Sequence, residues 1–214
     1  MVQFSLWDIF TFLLGAVRWT VALSLIAFIG GGLVGMGLLM LRFSKLRGVA
    51  KAVAWYVQIF QGTPLLMQLF LVYFGLALLG MDTSPLVAAA ICLTLYASAY
   101  LTEIWRGCVN AIHKGQWEAS TSLALSYAQQ MRYVILPQAL RVGIAPTVGF
   151  LVQIIKGTAL ASVIGFVELT KAGQMISNAT YQPFLAYTFV GLLYFALCYP
   201  LSWWSQRLEN RRLA

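Results

Sequence analysis

The chain has 214 residues, 61% of them hydrophobic and 9% charged, and its mean hydropathy is +0.81. A water-soluble domain carries about a quarter charged residues, so this balance excludes an ordinary soluble fold and points to lipid. A helix needs about 20 apolar residues to cross a hydrocarbon core, which leaves room for about five or six spans, and the net charge of +8 has to be placed along the chain before it is read as a nucleic-acid signal.

Ser5 and Asp8 form a capping-box-like start, and Phe4, Trp7, Phe10 and Leu14 follow at helical spacing. This predicts a short amphipathic helix over 5–14 that lies in the membrane interface and is too short to span. Asp8 and the aromatics stand where a cleavable signal peptide needs a basic cluster, so the first span is expected to act as its own insertion signal. Residues 21–41 carry no charge and form the first predicted span. Gly31 and Gly35, one turn apart, give it a face for close helix contact, although glycine is also generally enriched in membrane helices.

Arg42, Lys45, Arg47 and Lys51 come next, and short loops rich in Lys and Arg stay in the cytoplasm. Residues 52–81 are again uncharged, but Gln58, Gln61, Gly62, Pro64 and Gln68 interrupt the apolar run. Pro64 removes a backbone donor, which predicts a short helix near 52–60 and a second span near 64–79. Ser84 as N-cap and Pro85 at the first helical position open a third span to about Trp105, with the Asp82 turn outside.

Residues 106–141 form the longest non-spanning segment, with Arg106, Lys114, Arg132 and Arg141 against Glu118, and are therefore read as cytoplasmic. They are expected to hold one short helix over 118–125 and another that opens at a Ser126 to Gln129 capping box and is interrupted by Pro137. Residues 147–166, with Lys156 inside, are the fourth predicted span, and 184–204 the fifth. Eleven of the 14 Lys and Arg residues then fall on the cytoplasmic side, leaving Arg18 and Lys171 outside and Lys156 in the membrane. The expected fold is an all-α membrane protein with about five transmembrane helices and an N-terminal interfacial helix, N-terminus out and C-terminus in. Cys92, Cys108 and Cys198 are odd in number and suggest neither a disulfide framework nor a metal site.

Lys156 stands 15 residues from Arg141 and 12 from Glu168, roughly 20 Å and 18 Å along a helix, too deep to snorkel. An intramembrane charge is functional by default, so Lys156 is expected to receive a substrate carboxylate; the alternative is a structural contact to helix carbonyls or to Glu168. Gln61, Thr63 and Gln68 around Pro64, with Gln153 and Thr158 beside Lys156, are expected to line one midplane cavity. Taken singly, each also reads as an interhelical hydrogen bond. Glu103 and Arg106, three apart, are either a structural pair or an inner gate, and His113 is a solvated loop residue.

Several stretches carry a resemblance: Gly62-Thr63-Pro64-Leu65-Leu66, Tyr100 through Gly107, Lys114-Gly115-Gln116, Glu118-Ala119-Ser120, Ser122 through Ser126, Ile135 through Arg141 with Pro146, and Lys156-Gly157-Thr158 to Val163-Ile164-Gly165. Together they resemble the permease subunits of ABC importers, in the polar amino-acid branch called the histidine/glutamine permease family. The resemblance covers nearly the whole chain and implies one permease domain over 1–214, with 106–141 as a cytoplasmic coupling region. It implies that Glu118, Ala119, Ser120, Leu123, Ala124 and Leu125 form a coupling helix that docks on an ATPase. The implied partners are a cytoplasmic ABC ATPase dimer, a periplasmic or extracellular amino-acid-binding protein, and a second permease copy or homologous permease, all at a bacterial inner membrane. ATP and Mg are implied on the ATPase, with no cofactor on this chain. Two positions depart from the family. Ala124 stands where glycine is usual, and alanine in a left-handed turn costs about 1 kcal/mol or more, so a helical turn is expected there. Gln61 stands where many relatives carry arginine, which implies altered selectivity.

No Gly-x-x-x-x-Gly-Lys-Ser/Thr loop is present, so energy from ATP must enter through another polypeptide. The leading expectation is an ATP-driven, binding-protein-dependent importer that moves a polar or charged amino acid by alternating access. The alternative is an ion-coupled secondary transporter acting alone through Lys156, Glu103 and the broken second span. A membrane enzyme would need an intramembrane Ser/His or His/Glu constellation, and the sequence offers none.

Overall fold

A computed structural model describes residues 5–44 and 46–213, with side chains through residue 210; Phe4 and Lys45, used in the sequence reading, lie outside these. In chain order the elements are α1 (Leu6–Arg42), α2 (Arg47–Gly62), α3 (Leu65–Leu78), α4 (Pro85–Asn110), α5 (Lys114–Ser122), α6 (Tyr127–Gln129), a π-helical turn (Gln130–Ile135), α7 (Leu136–Gly157), a 3-10 turn (Thr158–Ser162), α8 (Leu169–Thr180) and α9 (Pro183–Leu213). Every described element is helical. Four runs are long and apolar enough to cross a membrane: Leu6–Arg42, Pro85–Asn110, Tyr127–Ser162 and Pro183–Asn210. A fifth forms if α2 and α3, bent by 105° at their junction, are one broken span.

The capping box at Ser5 is present, with Asp8 Oδ2 accepting from the Ser5 N–H at 3.0 Å, but the helix it opens does not stop at Leu14. The separate interfacial helix is therefore a correction: α1 runs 37 residues, about 55 Å, without a break. Ile9, Leu13 and Ala16 pack against Leu169, Ala172 and Ile176 of α8 and Ala186 and Val190 of α9. Protein, not the headgroup layer, covers that apolar stripe, and no residue between Leu14 and Val21 breaks a helix.

The second span also needs correction. With 14 residues, α3 is about 21 Å long and cannot cross a core of about 30 Å by itself, and the 16-residue α2 falls short too. Pro137 was expected to interrupt a helix. Instead the π-helical turn ends just before it and Pro137 falls in the first turn of α7, where a missing N–H leaves no gap. The fourth span accordingly begins well before Thr147.

The most enclosed helix is α4, which packs against α1, α2, α3 and α7. Ser84 Oγ accepts from the Val87 N–H at 3.4 Å and Pro85 sits at the helix start, as the sequence implies. The Tyr56 hydroxyl donates to Leu95 O at 2.9 Å and ties α2 to α4. Against α1 the contact is closer: a Cβ on Gly31 would lie 2.4 Å from Ala97 Cβ, and Thr102 Oγ1 donates to Gly35 O at 3.1 Å. The Gly31/Gly35 face is thus a true helix seam.

These pairings set the direction of each helix. Gly31 meets Ala97 and Gly35 meets Thr102, so α1 and α4 run parallel. Trp105 Nε1 donates to Thr147 Oγ1 at 3.0 Å while Tyr100 stacks on Phe150, and Ser205 Oγ donates to Ala145 O at 2.8 Å while Cys198 packs with Val152 and Ile155, so α7 runs against both α4 and α9. The basic segments at Arg42, Arg106, Arg141 and Arg207 consequently gather at one end of the bundle.

Gly31→Leu is expected to destabilise the protein by about 1–3 kcal/mol through overpacking at this seam. Gly37→Leu, where a Cβ meets nothing within 4 Å, leaves stability unchanged. Thermal unfolding of the two detergent-purified variants measures the difference.

Candidate functional site

The α2–α3 junction leaves helix-end carbonyls that lipid cannot satisfy. Thr63 and Pro64 are extended, at ψ 144° and 134°, and Gln68 reaches back over the gap. Its Nε2 donates to Phe60 O at 2.9 Å, Thr63 O at 3.0 Å and Thr63 Oγ1 at 2.8 Å, while Thr63 Oγ1 donates to Ile59 O at 2.7 Å. Gln68 and Thr63 therefore close the break itself, whereas Gln61 projects from it and is exposed.

A second discontinuity lies at the far end of α7. The α-helix stops at Gly157, tightens to 3-10 geometry through Ser162, and the chain turns at Gly165 with φ +90°. The fourth span thus ends at Ser162, not Phe166, because the apolar sequence continues past the point where the helix does. Lys156 occupies the last turn of α7, where the helix dipole presents its negative end. The side chain is exposed and makes no hydrogen bond or ion pair among the described residues. Cys198 of α9 lies in its field.

Glu168 is not the partner of Lys156. It is 0% exposed and caps α8, accepting from the Thr170 and Lys171 N–H groups at 2.9 Å each and from the Tyr194 hydroxyl at 2.7 Å. Burial pushes its carboxyl above the usual range, against the pull of those bonds. Thr158 is fully buried and donates to Ile155 O at 2.7 Å, so it holds the 3-10 turn. Gln153 is exposed beside the Tyr96 hydroxyl, where Tyr96, Tyr100 and Phe150 stack with centroids 4.5–6.2 Å apart.

The two discontinuities meet. A Cβ on Gly157 would lie 3.2 Å from Leu65 Cδ2 and 3.9 Å from Leu93 Cδ2, which seats the end of α7 against the first residue of α3. The helix end that carries Gln153 and Lys156 is therefore packed on the first residue after the Pro64 break, and no contact joins Gln61 to Lys156 among the described residues. Half a helical ladder away, Arg106 Nε donates to Glu103 Oε2 at 2.9 Å, so that pair is closed on itself.

At the basic end, α5 starts earlier than expected, at Lys114, and His113 is its N-cap: Nδ1 accepts from the Gly115 N–H at 3.1 Å. Histidine is a rare cap, and His113 is exposed, as expected, while it serves as one. Glu118, Ala119 and Ser120 lie on α5, but Leu123, Ala124 and Leu125 form its exit turn. Ala124 N–H donates to Thr121 O at 2.8 Å and Leu125 N–H to Ser120 O at 3.2 Å, a Schellman pattern with Ala124 at φ +57°. The helical turn expected at Ala124 is corrected to a left-handed one. Gln130 Nε2 holds it by donating to Leu125 O at 2.8 Å and Thr121 Oγ1 at 3.2 Å. Beyond it Gln129 Oε1 accepts from the Ser126 N–H and Oγ at 2.9 Å each, the box anticipated from sequence.

The profile of the binding-protein-dependent transport system inner membrane component family matches residues 27–214. The chain belongs to this family. This permease is 32% identical over 202 residues to the probable amino-acid ABC transporter permease protein YckA of Bacillus subtilis, covering 94% of this chain and 89% of that one. It is 34% identical over 212 residues to the glutamine transport system permease protein GlnP of Escherichia coli, covering 97% and 95%. Among solved structures, the crystal structure of an amino acid ABC transporter with histidines superposes with a TM-score of 0.90 at 32% identity, covering 94% of each chain. The protein is a multi-pass inner-membrane transport component.

An apolar cavity of about 370 Å³ also opens in the permease between α1, α4 and α7, bordered by Phe28, Met36, Trp105 and Leu140. Thr147 in its wall accepts from Trp105, and the rest of the lining is predominantly apolar. It lies toward the basic end, away from Lys156.

Ala124→Gly is expected to stabilise the folded permease by up to about 1 kcal/mol, because glycine removes the Cβ penalty at positive φ. Ala124→Val lowers stability by more than that, and thermal unfolding of both variants measures the order.

Proposed function

We propose that this permease is the membrane subunit of an ATP-driven, binding-protein-dependent importer of a polar amino acid and works by alternating access. The observation that carries the reading is the meeting of two helix breaks at an unpaired lysine. Broken helices leave backbone dipoles for a small polar ligand at membrane depth, and Lys156 supplies a positive charge for its carboxylate. The amino-acid and glutamine permeases among its relatives support that choice of substrate class. Family membership favours it over an ion-coupled transporter acting alone.

In this reading the basic end of the bundle is cytoplasmic, with the N-terminus out and the C-terminus in. ATP and Mg reside on a separate ATPase dimer, and this chain is non-catalytic. A second permease copy or homologous permease completes the path, and a binding protein delivers the amino acid from outside. Residues 106–141 form the coupling region. Leu123, 75% exposed at the end of α5, offers an apolar knob to the ATPase. Trp117 of α5 packs against a cluster of Val109 and Ile112 with Ile135 and Ala139, so a push on α5 reaches both α4 and α7. Those two helices carry Tyr96, Tyr100, Gln153 and Lys156, which links the docking surface to the ligand site by rigid elements. The π-helical turn between α6 and α7 is the softest part of that linkage.

Leu123→Asp is expected to leave membrane insertion and thermal stability intact and to weaken ATPase association at least about tenfold, measured by co-purification and titration; removal of one buried apolar anchor has that scale. Lys156→Gln is expected to lower kcat/KM for ATP-dependent uptake by at least about tenfold without loss of assembly, with Lys156→Arg retaining more activity than Lys156→Gln. Unchanged uptake by Lys156→Gln contradicts a substrate role for this residue.

A further inference from the structure

The acids of this chain are few enough to place individually. There are six: Asp8, Asp82, Glu103, Glu118, Glu168 and Glu209. Because Leu93 lies opposite Gly157, Tyr100 opposite Phe150 and Trp105 opposite Thr147, α4 serves as a ruler for the depth of Lys156.

On that ruler Glu103 is ten residues, about 15 Å, from the level of Leu93, and it is already paired with Arg106. Asp82 precedes α4, whose first residue lies about 12 Å beyond Leu93 in the other direction. Glu118 is on α5, past the basic end of α4. Glu209 lies beyond Ser205, which meets Ala145, eleven residues or about 16 Å along α7 from Lys156. Asp8 binds Ser5 at the start of α1, some 22 residues or about 33 Å before Gly30, the residue that faces Thr94. Glu168 is closest along the chain, but it is fully buried and its oxygens accept from two amides and a tyrosine.

Lys156 is therefore a cation with no carboxylate of its own chain near it, one helical turn from Gln153, which lies beside the Tyr96 hydroxyl. Such a site can receive an α-carboxylate on Lys156 and an α-ammonium group on the Gln153 amide oxygen and the Tyr96 hydroxyl. A second full positive charge on the ligand would enter a site of like charge with no acid to neutralise it, and an unpaired charge at membrane depth is strongly unfavourable. We infer that the permease site selects amino acids whose side chains carry no positive charge, neutral polar or acidic, and rejects lysine and arginine. This rests on the reading of Lys156 as the carboxylate site.

The test is equilibrium binding of radiolabelled glutamine, glutamate, arginine and lysine to the intact permease–ATPase complex in nanodiscs, without binding protein, for wild type and Lys156→Gln. The expected result is that glutamine or glutamate binds at least tenfold more tightly than arginine and lysine, and that Lys156→Gln weakens this binding at least tenfold. Arginine or lysine binding as tightly as glutamine and glutamate, and lost in Lys156→Gln, overturns the selectivity inference while leaving the carboxylate site standing. Binding that survives Lys156→Gln unchanged, or no binding by any of the four, overturns the carboxylate site and the inference together.

Discussion

A peptide group carried into hydrocarbon has to find its hydrogen-bond partner within the protein, and the Pro64 junction is where this permease meets that requirement most directly. The chain bends by 105° there, which ends one helix, starts another and frees carbonyls that need partners. Gln68 meets the need by donating to Phe60 O and Thr63 O, and Thr63 adds its own bond to Ile59 O. A sharp bend so closed becomes a fixed feature on which a site can be built.

The rest of the site follows from what the bend is packed against. The end of α7 comes to rest on Leu65, and small Gly157 permits the approach. That helix end turns its negative dipole toward the same space, and Lys156 stands on its last turn. The close α1–α4 seam at Gly31 and Gly35 and the α4–α7 ladder from Leu93 to Trp105 hold this arrangement in register. At the other end of the ladder, α5 is braced against both helices through Trp117 and Gln130. Lys156 and α5 thus stand at opposite ends of the same two helices.

Much of this was legible in the sequence where one residue type does one local job. Ser5, the Ser84-Pro85 pair and the Ser126 to Gln129 box mark helix starts, and Pro64 marks the break, because caps and missing donors act within a turn of themselves. What was not legible depends on distant packing. The helical spacing of apolar residues over 5–14 reads as a short interfacial helix until α8 and α9 are seen to cover Ile9, Leu13 and Ala16. The apolar run through Phe166 hides the end of α7, since hydropathy is blind to a change from α to 3-10 geometry. Ala124 adopts a left-handed turn that its side chain disfavours because Gln130 and the Schellman bonds hold it there. Gln68 and Thr158 read as cavity lining, and only their partners reveal that they hold backbone in place.

The central claim is that this chain supplies a path and a lever while another subunit supplies the energy. It is tested most directly by reconstituting the purified permease in liposomes, with and without its ATPase and binding protein, and measuring amino-acid accumulation. The account predicts uptake only when all components and ATP are present, and none when the permease alone is given an ion gradient. Concentrative uptake by the permease alone, driven by a proton or sodium gradient, would contradict it.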